Sequence, residues 1–115
     1  MPLAETDAAR LWDMLRAARE VRDFVRGIEE ADYVSDIMRQ RAVERSIEII
    51  GEAARGLSDT FRGAHPEIEW RPIIAQRHIL AHEYAAVLPS RLWRVATVHV
   101  PTLIAQLETL LPDDI

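Results

Sequence analysis

One stretch of this chain gathers side chains that move protons and hold phosphate: Arg77, His78, His82 and Tyr84, in the string R-H-I-L-A-H-E-Y. Arginine offers a permanent planar cation with several N–H donors, and histidine a group that gains and loses a proton near neutral pH. Together they are the minimum for metal-free cleavage of RNA, in which the ribose 2′-hydroxyl attacks the neighbouring phosphorus and leaves a cyclic phosphate. Spacing limits how one helix can use them. Arg77 and His82 lie about 140° apart around a helix axis, whereas Arg77 and Tyr84 lie nearly in line. The pair is more readily completed at a helix end or across a two-fold axis, with His82 of each copy facing a shared cleft, so a homodimer is expected.

The same residues have plainer readings. An arginine and a histidine five positions apart are common on helices, and spacing alone is a weak signal. His78 and His82, at i and i+4, could share a divalent metal, but Ile79, Leu80 and Ala81 between them omit the glutamate of a zinc-hydrolase helix. No metal or other cofactor is expected. Glu83 points about 100° away from His82 and is not taken as its orienting carboxylate. His99 falls in an apolar stripe and reads as a hydrogen-bonded core histidine; His65, beside Pro66, reads as a solvated or capping residue. Trp12, Trp70 and Trp93 read as core anchors.

The elements that must position the string are helical. Leu11, Leu15, Ala18, Val21, Val25 and Ile28 recur at three- and four-residue steps, which predicts a helix from Thr6 to about Glu29, capped by Thr6 or Asp7. After a break at Glu29-Glu30-Ala31-Asp32, a second helix carries Ile37, Val43, Ile47, Ile50, Ala54 and Leu57, with Gly51 inviting a close helix contact. Ser58 to Glu69 lacks periodicity and reads as a connection. A third helix opens near Trp70, tolerates Pro72 in its first turn and runs to about Tyr84. Ser90 is a candidate cap for a fourth helix bearing Leu92, Val95, Ala96, His99, Leu103, Leu107 and Leu110, which Pro101 should kink. The expected fold is all-α, an antiparallel four-helix bundle with or without a short extra helix, formed by residues 1–115 as one domain.

Composition narrows the chemistry. The 115 residues contain no cysteine, which excludes thiolate chemistry and sulfur-ligated zinc, and all 14 basic residues are arginine, which excludes any lysine nucleophile or P-loop. With 19 acids the net charge is −5, against coating of duplex nucleic acid. Between residues 71 and 94, however, Arg71, Arg77, Arg91 and Arg94 face one acid, Glu83. A nucleic-acid partner would have to sit there. No apolar run approaches the roughly 20 residues of a membrane span, and Met1–Arg10 carries no targeting pattern, so a cytoplasmic protein is expected.

The segment Arg77-x-x-x-x-His82-x-Tyr84 resembles the signature of the HepT-like toxins, a branch of the HEPN ribonucleases. Ile49-Ile50-Gly51-Glu52-Ala53-Ala54, His65-Pro66-Glu67-Ile68-x-Trp70 and the stretch from Trp93 to Pro101 are similar to the same family in the same order, over about residues 10 to 110. The resemblance implies a dimeric HEPN-like helical bundle acting as the toxin of a type VII toxin–antitoxin system, a metal-independent endoribonuclease that cuts transfer or messenger RNA. By the same resemblance, Arg77 stabilises the scissile phosphate and His82 moves protons. Tyr84 accepts AMP from an MntA-like nucleotidyltransferase antitoxin, adding charge beside Arg77 that blocks the cleft. His78 stands where the family often has asparagine and is an auxiliary candidate. The competing reading is a non-catalytic helical module that presents substrate or nucleotide to a nucleotidyltransferase.

Overall fold

The computed structural model describes residues 3–82 and 89–111, and the side chains of all of these but 77–82. Among the described residues there are helices and turns and no strand. In chain order the elements are α1 (Glu5–Val25), α2 (Glu30–Val34), α3 (Ile37–Arg55), α4 (Asp59–Ala64), α5 (Trp70–His82) and α6 (Pro89–Arg94). A π-helical turn (Val95–His99) and α7 (Val100–Leu110) continue the last of these. Four rods, α1, α3, α5 and the continuous α6–α7, answer to the expected four helices. The short α2 and α4 occupy stretches expected to be breaks.

Each difference from the expected boundaries has a local cause. The α1 helix begins one residue earlier, at an Ala4 N-cap that makes no side-chain hydrogen bond, so neither Thr6 nor Asp7 caps it. It stops at Val25 because Gly27 adopts a left-handed φ of 76° that other residues avoid. At α2, five residues are too few for a periodic signal, and the helix is made by a reciprocal cap. Glu29 N–H donates to Asp32 Oδ2 at 2.9 Å while the Glu29 side chain accepts from the Asp32 backbone. Similarly, α4 rests on Ser58, whose Oγ accepts from Phe61 N–H at 3.1 Å. Pro89 opens α6 where its fixed φ suits a first turn, so Ser90 lies inside that turn and is not its cap.

The core forms where α1 packs on α3 and α7, and α3 packs on α5. Leu11, Met14, Leu15, Val21, Val43, Leu92 and Leu107 are fully enclosed, each such side chain contributing about 1.5–3 kcal/mol by leaving water. Gly51 is buried along α3, as expected of a close-contact position. The three tryptophans pack against this core and are partly covered.

Polar ties fix the helix ends. The Asp36 carboxylate caps α3, accepting from Arg39 N–H at 3.1 Å and from Arg39 Nε at 3.2 Å. Chiefly through that backbone N–H, its pKa is held below the ordinary carboxylate value. The stability this cap contributes is therefore present above the ordinary carboxylate range and is lost as pH falls through the lowered value. Asp7, 6% exposed, reaches from α1 to the start of α4, accepting from Ser58 N–H at 2.9 Å and Ser58 Oγ–H at 2.7 Å. Asp7→Ala should cost about 1–2 kcal/mol in urea unfolding because the Ser58 cap loses both partners. Asp7→Asn, which keeps one acceptor oxygen, should lose less; equal losses would show that the contact is not what the site requires.

Candidate functional site

The motif helix is anchored at its start. Trp70 Nε1 donates to the His65 carbonyl at 2.9 Å, and Gln106 Nε2 of α7 donates to the Glu67 carbonyl at 3.0 Å, tying the approach of α5 to the far end of the last rod. From there α5 runs back toward the end where the chain re-enters at Pro89. Arg77, His78 and His82 all belong to its second half. Tyr84 and Glu83 lie outside the described residues.

Between α3, α5 and the last rod is an open groove of about 540 Å³. Its floor is apolar, with Ile47 and Ile50 from α3, Ile73 from α5, and Val95, Val98 and Leu103 from the rod. Its two ends differ in charge. Glu67 and Glu69 stand where α5 begins, and Arg91 and Arg94 stand at the α6 end, toward which the motif half of α5 runs. Glu67 Oε2 is 3.0 Å from His65 Nδ1, and the carboxyl pKa is lowered first by its own backbone N–H and then by that ring. His65 is the C-cap residue of α4, its N–H on the Arg62 carbonyl, in line with the capping alternative for this position, and it is partly covered and not fully solvated.

Arg91 and Arg94 are exposed, and neither has a carboxylate partner among the described residues. Several other arginines are paired: Arg26, Arg39, Arg41, Arg45 and Arg62 each meet an acid three positions away, and Arg19 bridges α1 to Glu108 of α7 at 2.9 Å. The basic excess expected between residues 71 and 94 thus appears partly as a pair of uncommitted cations on the groove wall.

His99 is the clearest correction. Instead of sitting in the core it is exposed and lines the groove. The cause is the π-helical turn, in which Val100 N–H donates to Val95 O, five residues back instead of four. The wider turn advances the buried stripe to Ala96 and Val100 and leaves Val98 and His99 facing out. Pro101 follows it, in the first turn of α7. The expected kink is a change of helical phase. Gln76, one position before Arg77, also lines the groove, and its Nε2 is buried with no partner among the described residues. Neither Gln76 nor the role of the π turn carried a sequence signal beyond the proline itself.

A buried polar cluster lies where α2, α3 and α6 meet. Tyr33 is fully enclosed, its ring tilted on Trp93 with centroids 5.6 Å apart, and its hydroxyl has no partner among the described residues. Gln40 Nε2 donates to the carbonyls of Tyr33 at 3.0 Å and Val34 at 2.9 Å, and buried Glu44 accepts from Arg41 Nη1 at 3.1 Å through both oxygens. Burial, and next the charge of Glu44, push the Tyr33 phenol above the ordinary tyrosine pKa, against the opposing effect of Arg41.

Comparison with known proteins assigns the chain to a family. The chain matches the family described as "Ribonuclease HepT-like" over residues 14–110. It is 36% identical over 100 residues to the "Probable ribonuclease HepT" of Thermococcus cleftensis, covering 87% of this chain and 91% of that protein. It is 33% identical over 100 residues to "Putative RNase MJ1380" of Methanocaldococcus jannaschii, covering 87% and 92%. A third relative, "Putative RNase TTE0752" of Caldanaerobacter subterraneus subsp. tengcongensis, is 38% identical over 87 residues, 76% of this chain and 78% of that one. No solved structure gives a significant match. The chain belongs to the HepT-like ribonuclease family, and its helical fold agrees with the HEPN-like bundle that the motif implied. Among the described residues no helix is long and apolar enough to cross a membrane.

The unpartnered Tyr33 hydroxyl gives a direct test of the cluster. Tyr33→Phe should leave unfolding free energy within about 1 kcal/mol of the original or raise it, since a buried hydroxyl without a partner contributes only its desolvation cost. A loss well beyond that in chemical denaturation would mean that the hydroxyl holds a partner.

Proposed function

We propose that this protein is the toxin of a type VII toxin–antitoxin system, an endoribonuclease that acts in the cytoplasm on transfer or messenger RNA without a metal ion. The observation that carries the reading is the family match over residues 14–110. It takes in the whole Arg77-x-x-x-x-His82-x-Tyr84 string, whose residues 77–82 form the last turns of α5, one of the helices that border the arginine-lined groove. His82 takes the proton from the ribose 2′-hydroxyl as the 2′-oxygen bonds to phosphorus. The bond from phosphorus to the 5′-oxygen breaks, and that oxygen leaves protonated beside a 2′,3′-cyclic phosphate. Arg77 stabilises the negative charge that builds on the phosphoryl oxygens, and His78 assists as an auxiliary group.

Residues 1–115 act as one HEPN domain that pairs with a second copy so that the two His82 side chains share a cleft. An MntA-like nucleotidyltransferase neutralises the toxin. The Tyr84 phenolic oxygen attacks the α-phosphorus of ATP, an O–P bond forms, pyrophosphate leaves, and the phenol proton passes to a base. The AMP phosphate then lies beside Arg77 and competes with RNA.

Arg77→Ala and His82→Ala should each reduce RNA cleavage by at least about 100-fold, and should relieve growth arrest without changing the helical circular dichroism. The unaltered protein should cut equally well in chelator. Either variant cutting RNA at the normal rate, or activity lost in chelator, would remove the assigned roles. Tyr84→Phe should show no AMP mass shift after incubation with the antitoxin and ATP; a shift on that variant would place the modification elsewhere.

A further inference from the structure

The groove has a wall of two free arginines, an apolar floor and an acidic far end, and only the first lies toward the motif half of α5. We propose that the Arg91/Arg94 end of this groove binds an unpaired nucleotide of the RNA next to the scissile phosphate. Arg91 and Arg94 hold its flanking phosphates, and its base lies on the floor against Ile73 and Val98. The inference rests on the ribonuclease reading above and names the form of RNA which that site accepts.

Three observations point the same way. Arg91 and Arg94 are exposed, have no carboxylate partner among the described residues, and are the arginines that line the groove. Planar guanidinium groups in such a position suit phosphate oxygens. Val98 is one of few large apolar side chains left substantially exposed, at 49%, and it faces this groove because the π turn rotates it there. An apolar slot of about 540 Å³ is of the size that receives a small planar group. Duplex RNA keeps its bases stacked within, so only a splayed-out base can enter such a slot.

The acidic end bounds the site. Glu67 and Glu69 stand near Gln106, about 18 Å along the rod from Arg94 at the helical rise per residue. Phosphates are repelled there, so the strand enters from the motif side and its footprint in the groove is short. A chain of net charge −5 thereby holds RNA without attracting it over its whole surface.

The test is binding by the full chain carrying Arg77→Ala and His82→Ala, which keeps the RNA uncut, measured by fluorescence anisotropy with a labelled oligoribonucleotide. The single strand should bind at least tenfold tighter than the same sequence in a duplex. Adding Arg91→Glu and Arg94→Glu should weaken single-strand binding at least tenfold. It should also flatten the slope of log K against log salt by about 1.4, because two phosphates are no longer neutralised. Val98→Glu should also weaken binding, while Arg45→Glu, at an exposed position outside the groove lining and paired with Glu48, should not. Equal affinity for duplex and single strand, or an unchanged salt slope, overturns the proposal. So does a drop in molecular mass with RNA affinity kept, since the groove would then hold a second copy of the chain. Cleavage by the unaltered chain is scored separately: binding with these differences but no cleavage sinks the catalytic reading alone, and cleavage indifferent to Arg91→Glu/Arg94→Glu sinks the subsite alone.

Discussion

The last rod has two tasks: it must bury Leu92, Ala96, Val100, Leu103 and Leu107 in the core, its α6 part against α2 and α3 and its later part against α1, and it must form one wall of the groove beside α5. A uniform α-helix cannot keep residues four apart in line for two successive steps without drifting around its axis. The hydrogen bond from Val100 N–H to Val95 O absorbs the drift in one wide turn. Everything on the groove side follows from that bond. Val98 and His99 turn outward, Val95 comes to line the slot, and Pro101 falls just after the wide turn.

The opposite wall is set by different means. The start of α5 is held by the indole of Trp70 on the His65 carbonyl and by Gln106 reaching across to Glu67. These two bonds connect the loop before α5 to the end of α7, so helix and rod run side by side in opposite directions. The charge pattern along the groove is a product of that arrangement, because residues close in sequence, Glu67 with Glu69 and Arg91 with Arg94, are delivered to its opposite ends. Local ion pairs meanwhile engage Arg26, Arg39, Arg41, Arg45 and Arg62 elsewhere on the surface. Such exposed pairs contribute little to stability, but they leave the groove with uncommitted cations.

What the sequence made legible was the part governed by long apolar periodicity. α1 and α3 carry several turns of stripe each, and their buried faces contain the residues the spacing picks out. The string Arg77 to His82 is equally plain, because it was read by residue type and by resemblance, and it lies on a helix as expected. The short helices escaped because their signals are single side-chain bonds: the Glu29–Asp32 reciprocal cap and the Ser58 cap occupy one turn each. Asp7 looked like a cap for its own helix and is instead the partner of Ser58, a contact between residues far apart in the chain. His99 was misplaced because a period of 3.6 was assumed through a turn that is wider. The groove itself was invisible, since it exists only once three rods have been brought together.

A π-helical turn is the trace of one residue more than the α-helical count requires. In those terms the segment Val95–His99 is an insertion the rod has absorbed without breaking. Its surplus residue is displayed on the groove wall and not in the core. Shortening the rod by one residue here would return it to a plain α-helix and restore the stripe that includes His99. The residues four apart that the core now holds would drift out of line, the wall would lose the outward Val98, and the pocket its shape. The length of this segment, as well as the residues in it, sets the groove.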